Sequence, residues 1–253
     1  IASAHAPLSG VADVVSSLTT SDGTRKLLLR LHDGHEVETV LIPPIANAAN
    51  PSANARARST LCVSSQVGCR QGCRFCATGT MGLFRSLTLD EILAQVFAAR
   101  ALVASSDELP PLSNLVFMGM GEPADNAAVV RRAVDVLCDG RRFGFSPTKV
   151  TVSTVAPTAD AFSALLLGDG GDDAAPVPAL AWSLHAADAA LRKQLVPTAV
   201  DSPEALRDGL CATLAVLPPR RRKVMVEYVL LGGCNDRPAD ADVLAAFLRP
   251  IEA

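Results

Sequence analysis

The sequence predicts an α/β fold, strands and helices alternating around a parallel sheet or barrel, with a β-hairpin ahead of it. Three observations carry that reading. From residue 60 onward, short apolar runs of strand length alternate with amphipathic stretches of helix length, the pattern of βαβ units. Earlier, KLLLRLHDGHEVETVLIP (26–43) places Asp33-Gly34 between two apolar runs, a hairpin turn. At 253 residues and 49% hydrophobic, the chain can bury one sizeable α/β core or two small ones, and is too apolar to be disordered throughout.

The elements follow in order. After the hairpin, 44–59 is Ala/Asn/Pro-rich and unpatterned and reads as a surface insertion. TLCVSS (60–65) is a strand, a cysteine-rich loop follows, and 88–104 is a helix whose Thr88 and Glu91 form a capping box. Strand 114–119, helix 126–138, strand 149–155 and a helix around 158–167 come next. A loop insertion at 168–178 precedes strand 179–184, helix 203–217, strand 223–231 and helix 238–248. The expected organisation is an N-terminal hairpin with its insertion (1–59) and a βα core (60–253) containing five strands.

Composition narrows the function. A net charge of −3 gives no global basic signature, so any nucleic-acid contact rests on local patches, such as RRRK (220–223) or Arg141, Arg142 and Lys149, or on a segment outside these residues. Such runs also occur as plain solvated faces. One Trp and one Tyr leave the core to aliphatic residues and alanine. There is no leader pattern, and no apolar run reaches the roughly 18 residues of a spanning helix. A soluble protein of a reducing compartment is expected, the cytoplasm or an organelle such as the chloroplast, without a membrane partner. There, clustered cysteines bind metal or do chemistry more often than they form disulfides.

Four of the seven cysteines fall between Cys62 and Cys76. CRQGCRFC places Cys69, Cys73 and Cys76 at C-x3-C-x2-C. Thiolates are soft ligands that suit zinc or iron–sulfur clusters. A structural zinc ion usually takes four protein ligands, so zinc would need a distant fourth here. Three ligands on one loop suit a 4Fe-4S cube with one iron left open. Spacing alone leaves zinc in contention. The loop's place at the C-terminal end of the first βα strand, where barrels build active sites, favours the cluster. GMGEP (119–123) reads as a tight loop at the end of the next strand. Cys138 and Cys211 lie on apolar helix faces and read as core, and Cys234 as a loop residue.

CVSSQVGCRQGCRFCATG, NLVFMGMGEP, VTVSTV, AWSLHA, LRKQLVPT and VEYVLLGGCND occur in an order that resembles the RlmN/Cfr family of radical S-adenosylmethionine RNA methyltransferases, from about Asp22 to Asp242. The resemblance implies a partial (β/α)6-type radical-SAM barrel, a 4Fe-4S cluster and S-adenosyl-L-methionine. It makes Cys69, Cys73 and Cys76 the cluster ligands, the cofactor chelating the fourth iron. It makes Gly121, Glu122, Ser153, Ser183, Leu184 and His185 cofactor contacts. Cys62, otherwise a small buried apolar side chain, becomes a catalytic thiol that resolves a protein–RNA intermediate. Glu38, otherwise the exposed side of a hairpin strand, becomes a proton acceptor. The implied reaction methylates carbon 2 of an adenosine in 23S-type ribosomal RNA or transfer RNA, with flavodoxin or ferredoxin as electron donor. Carbon 8, as in Cfr, and a non-catalytic iron–sulfur or zinc RNA-binding protein are the alternatives.

The insertions at 44–59 and 168–178 depart from the family pattern. The chain starts at Ile1 and ends just after a helix, where the alternation predicts another strand. The family's N-terminal accessory domain, late Asn and methyl-carrying cysteine have no counterpart in these residues. A fragment of a longer protein is therefore expected.

Overall fold

The computed structural model describes residues 10–44, 58–168 and 175–252. The two expected insertions fall largely outside these residues. One eight-stranded sheet organises the chain. In chain order the elements are β1 Ala12–Thr19, β2 Arg25–Leu31, β3 Glu36–Ile42, β4 Ser59–Cys62, β5 Gln66–Cys69, β6 Gly82–Ser86, α1 Leu89–Ala104, β7 Leu112–Phe117, α2 Ala127–Cys138, β8 Val150–Thr154, α3 Ala161–Leu166, β9 Ala179–Ser183, α4 Ala189–Leu195, α5 Pro203–Ala215, β10 Val224–Glu227 and α6 Pro238–Leu248. The main sheet runs β1-β2-β3-β4-β7-β8-β9-β10. Its first four strands pair antiparallel, and β4, β7, β8, β9 and β10 are the five parallel strands expected of the βα series.

Period-2 alternation divides the two faces of the parallel part. Leu61, Leu115, Phe117, Val150 and Val152 are buried in one cluster with Ile92, Val96 and Ala99 of α1 and Val130, Val134 and Leu137 of α2. Leu180 and Trp182 are buried with Leu206 and Leu210 of α5. The alternate positions, Cys62, Val116, Thr151, Ser153, Ser183 and Glu227, lie on the opposite, concave face of a partial barrel. The capping box at α1 is complete: Glu91 N donates to Thr88 Oγ1 and Thr88 N to the Glu91 carboxylate.

Four expectations change. The hairpin is a three-stranded meander, because β1 (ADVVSSLT) adds to its edge; Ala12 alone is buried in β1, so its alternation is weak in the sequence. The first parallel strand ends at Cys62 rather than 65, because Ser64 Oγ turns to the Glu38 carbonyl (2.7 Å) and Met120 N donates to Ser64 Oγ (2.9 Å). The expected cysteine loop is enclosed by an antiparallel pair, β5 with β6, so Cys69 closes a strand. A short helix, α4, forms within LRKQLVPT, capped by Asp188, which accepts from Leu191 N at 2.7 Å.

Candidate active site at the C-terminal rim

Parallel strands end on one side of the sheet, so the turns after β7, β8, β9 and β10 converge with the cysteine loop. They enclose a cavity of about 460 Å³. Cys69, Cys73 and Cys76 line it beside Gly121, Glu122, Ser153, Ser183, His185 and Glu227. The structure thus brings together eight of the eleven predicted site residues. Leu184, Cys62 and Glu38 do not line the cavity.

The loop's seating follows from its neighbours. Arg74 N donates to Leu195 O of α4 at 3.0 Å, and Gln71 Nε2 donates to Asp125 at 2.7 Å. The Phe75 ring meets the His185 ring edge-on at 4.6 Å. Burial, helped by the Glu122 and Cys76 charges, pushes the Cys69 thiol up to about 11, and burial, helped by Cys69 and Cys76, pushes Cys73 to about 12. Such thiols stay protonated at neutral pH until a metal displaces the proton. Among the described residues, no three His, Cys, Asp or Glu side chains stand close enough to grip a single metal ion.

Glu122 is buried and fully engaged by the protein. Its carboxylate accepts from Thr154 Oγ1 (2.6 Å), Ala124 N (2.9 Å) and Val155 N (3.0 Å). Burial outweighs these bonds and pushes the carboxyl up to about 7. Its role is to fasten the β7 turn to the β8 turn. Gly121, at φ +104°, packs where a Cβ would meet Gln66 Cβ at 2.6 Å. Ser153 and Ser183 both donate to Glu227 Oε2, each at 2.8 Å. Leu184 buries its side chain among the helix-facing apolar residues and can meet the cavity only through its backbone.

His185 sits at φ +63°, a region a non-glycine residue occupies only when its surroundings hold it there. Its Nδ1 accepts from Val229 N (3.2 Å), and its carbonyl accepts from Asn235 Nδ2 (2.9 Å). Burial, with the Arg192 charge second, lowers its pKa to about 4. The unfolded chain takes up this proton at a higher pH than the folded one. The contribution is therefore full above about pH 6.5 and is lost as pH falls towards 4, up to about 3 kcal/mol. Glu122 acts in the opposite sense, losing stability as pH rises towards 7. In urea melts of the apo protein, His185→Gln should flatten the acid-side loss relative to wild type; parallel wild-type and variant profiles would remove His185 from it.

Cys62 ends β4 on the concave face, opposite Val40 in register. Burial, with the Glu227 charge adding, pushes its thiol up to about 11, so it is held as a protonated thiol. Glu38 lies one turn of the pleat beyond Val40 and is half-exposed, in an ion pair with Lys26 at 2.8 Å. Cys138 and Cys211 are both half-buried rather than core residues: Cys138 packs against the edge of the apolar cluster, and Cys211 Sγ donates to Pro250 O. Cys234 packs partly against the cysteine loop.

The basic patches are displaced from the cavity. Arg141, Arg142 and Lys149 precede β8, and Arg220–Lys223 precede β10, so both lie at the N-terminal ends of strands, on the opposite rim. Arg222 donates to Leu217 O and Ala215 O, closing the C-terminus of α5. None of these residues lines the cavity.

Sequence reasoning missed two residues. Glu227 had a signal, the single carboxylate in the apolar run KVMVEYVLL. Arg192 had only its place in LRKQLVPT, where Arg-Lys in a short amphipathic stretch reads as a solvated face. It is instead 1% exposed; Nη2 donates to Val155 O, and Nε and Nη1 have no partner.

No family model matches the chain. It is 39% identical over 241 residues to the dual-specificity RNA methyltransferase RlmN of Lawsonia intracellularis, covering 95% of this chain and 63% of that one. It is 42% identical over 224 residues to the RlmN of Oleidesulfovibrio alaskensis, covering 88% and 57%. A crystal structure of a radical SAM methyltransferase from Sphaerobacter thermophilus superposes with a TM-score of 0.79 at 35% identity, covering 98% of this chain and 68% of that one. The chain thus spans less than two thirds of the length of the two RlmN enzymes.

Proposed function

The chain belongs to the radical SAM methyltransferases, and from its likeness to RlmN enzymes we propose that it works in methylating carbon 2 of an adenosine in ribosomal or transfer RNA. The observation that carries the proposal is the convergence of Cys69, Cys73 and Cys76 with the rim residues on one cavity. A 4Fe-4S cluster and S-adenosyl-L-methionine fit these residues. Three soft thiolates spread along one wall suit a cube, in which each binds a different iron, better than a single ion. When bound, the pair supplies a one-electron cleavage of the sulfonium that yields a carbon-centred radical.

The chain's own residues hold and shield. Cys69, Cys73 and Cys76 would hold the cluster. Gly121 lets the β7 turn close against Gln66, and Glu122 locks that turn to β8. Ser153 and Ser183, steadied by Glu227, present hydroxyls to a nucleoside at the strand ends. Cys62 keeps its proton on sulfur, at the same end of the concave face, available to a covalent RNA adduct. Glu38 is the proposed proton acceptor; it would have to leave Lys26 to take that part. We propose a cytoplasmic location, as for an enzyme like the bacterial RlmN relatives, and a flavodoxin- or ferredoxin-type electron donor. No helix among the described residues is long and apolar enough to cross a membrane.

Because the methyl-carrying cysteine has no counterpart in these residues, the test is made on the full-length protein that contains them: reconstituted and reduced, it is incubated with ribosomal and transfer RNA and methyl-deuterated cofactor, and the RNA is digested for mass spectrometry. Labelled 2-methyladenosine is the expected product. 8-Methyladenosine would move the reading to carbon 8. RNA binding with neither product nor cofactor cleavage would make the chain a non-catalytic binder.

A further inference from the structure

We infer that Arg192 is the buried counter-charge of the metal cluster and raises its reduction potential. The inference rests on the proposed cluster at Cys69, Cys73 and Cys76. Arg192 is among the largest fully buried side chains of the protein, yet among the described residues it makes no ion pair. Its one hydrogen bond goes to a neutral carbonyl, Val155 O, and two of its nitrogens face no acceptor. A guanidinium in that state is costly, because desolvation is uncompensated. An arginine does not escape the cost by losing its proton at neutral pH. An anion nearby offsets it.

The fold shows where that anion would be. α4 lies behind the cysteine loop: Leu195 O accepts from Arg74 N, and Leu195 and Val196 are buried together with Cys73. Arg192 is one helical turn before Leu195. The acidic groups that act on its charge are Cys73, the middle ligand, and then Glu122. Glu122 is engaged by three other donors and pushed towards its neutral form. Three thiolates bearing a cluster leave the loaded site net negative, and reduction adds one more negative charge. A fixed positive charge in the low-dielectric layer behind the loop favours the reduced form over the oxidised one. Because Arg192 is sealed from the cavity, it acts through the cluster and touches no substrate; it is a positioning charge.

Arg192→Met and Arg192→Lys separate charge from shape. In the apo protein, Arg192→Met should melt no lower than wild type, since an unpaired buried charge is replaced by an apolar chain of similar length. After anaerobic reconstitution, redox titration followed by electron paramagnetic resonance should show the Met variant harder to reduce. At the wild-type midpoint its reduced-to-oxidised ratio should fall about tenfold, about 59 mV for a one-electron couple. Arg192→Lys should lie between the two. A folded Met variant that loses its cluster while the Lys variant keeps it also supports the inference. Equal midpoints for wild type and Met variant overturn it, as does equal cluster loss in both variants. If the wild type loads iron and sulfide but the midpoints coincide, this inference alone fails. If the wild type loads none, the proposed function fails with it.

Discussion

Cys73→Ala protein should emerge from anaerobic reconstitution essentially without iron, while wild type binds iron and sulfide. Cys73 is the most enclosed of the three thiols, packed against Leu195, Val196 and Ala186. Its thiol is pushed up to about 12 by burial and by Cys69 and Cys76, so without a metal it keeps its proton at neutral pH. Losing the orienting partner of a metal ligand weakens binding by about 10–100-fold, and losing the ligand itself should cost at least the upper end of that range. Inductively coupled plasma analysis and the visible cluster absorbance read this directly. Full iron with unchanged absorbance would remove Cys73 from the ligand set. The apo variant should fold normally, because the thiol makes no bond on which the sheet depends.

Gly121→Ala should destabilise the apo protein by about 3 kcal/mol, through strain rather than lost contacts. At φ +104° an L side chain is strained whatever space surrounds it. Here the added Cβ would also lie 2.6 Å from Gln66 Cβ, 2.7 Å from its Cγ and 2.8 Å from its backbone N. Gln66 cannot yield cheaply. Its N donates to Met120 O (3.2 Å), its Oε1 accepts from Glu122 N (2.9 Å), and its Nε2 donates to Ser86 Oγ (3.2 Å). The clash therefore opens the rim between β5 and the β7 turn, the wall on which Cys69 sits. Urea denaturation measures the loss. A change below about 1 kcal/mol, the size of an ordinary surface effect, would mean that the turn relaxes freely and Gly121 is not fixing it.

The legible parts of the fold were those with one dominant local cause. The apolar strands β7, β8 and β9 and the capped helix α1 stood out by period and by Thr88 and Glu91. The hairpin turn was written in Asp33-Gly34. What stayed hidden depended on partners far along the chain. β1 is an edge strand with a mostly exposed sequence, and only its pairing with β2 makes it a strand. β5 and β6 lie thirteen residues apart from end to start, around a loop whose cysteines dominated the reading. The site divides in the same way. Cys69, Cys73 and Cys76 were visible as a spacing, and Glu122, Ser153, Ser183 and His185 as strand-end positions in a familiar order. That the Glu122 carboxylate is bonded to Thr154, Ala124 and Val155 could not be read from GMGEP. The burial of Arg192 required knowing that α4 packs against the cysteine loop. The place of the basic runs on the opposite rim was hidden because charge is local in sequence, whereas the rim it occupies is set by strand direction.

The central claim is that three cysteines hold a cluster whose fourth position is open to S-adenosylmethionine. The most direct measurement is the electron paramagnetic resonance spectrum of the reconstituted, reduced wild-type protein with and without that cofactor, alongside chromatography for 5′-deoxyadenosine. The account predicts a 4Fe-4S signal that changes when S-adenosylmethionine is added, with deoxyadenosine accumulating. A protein that takes up stoichiometric zinc and no iron, or a cluster signal indifferent to the cofactor, would contradict it.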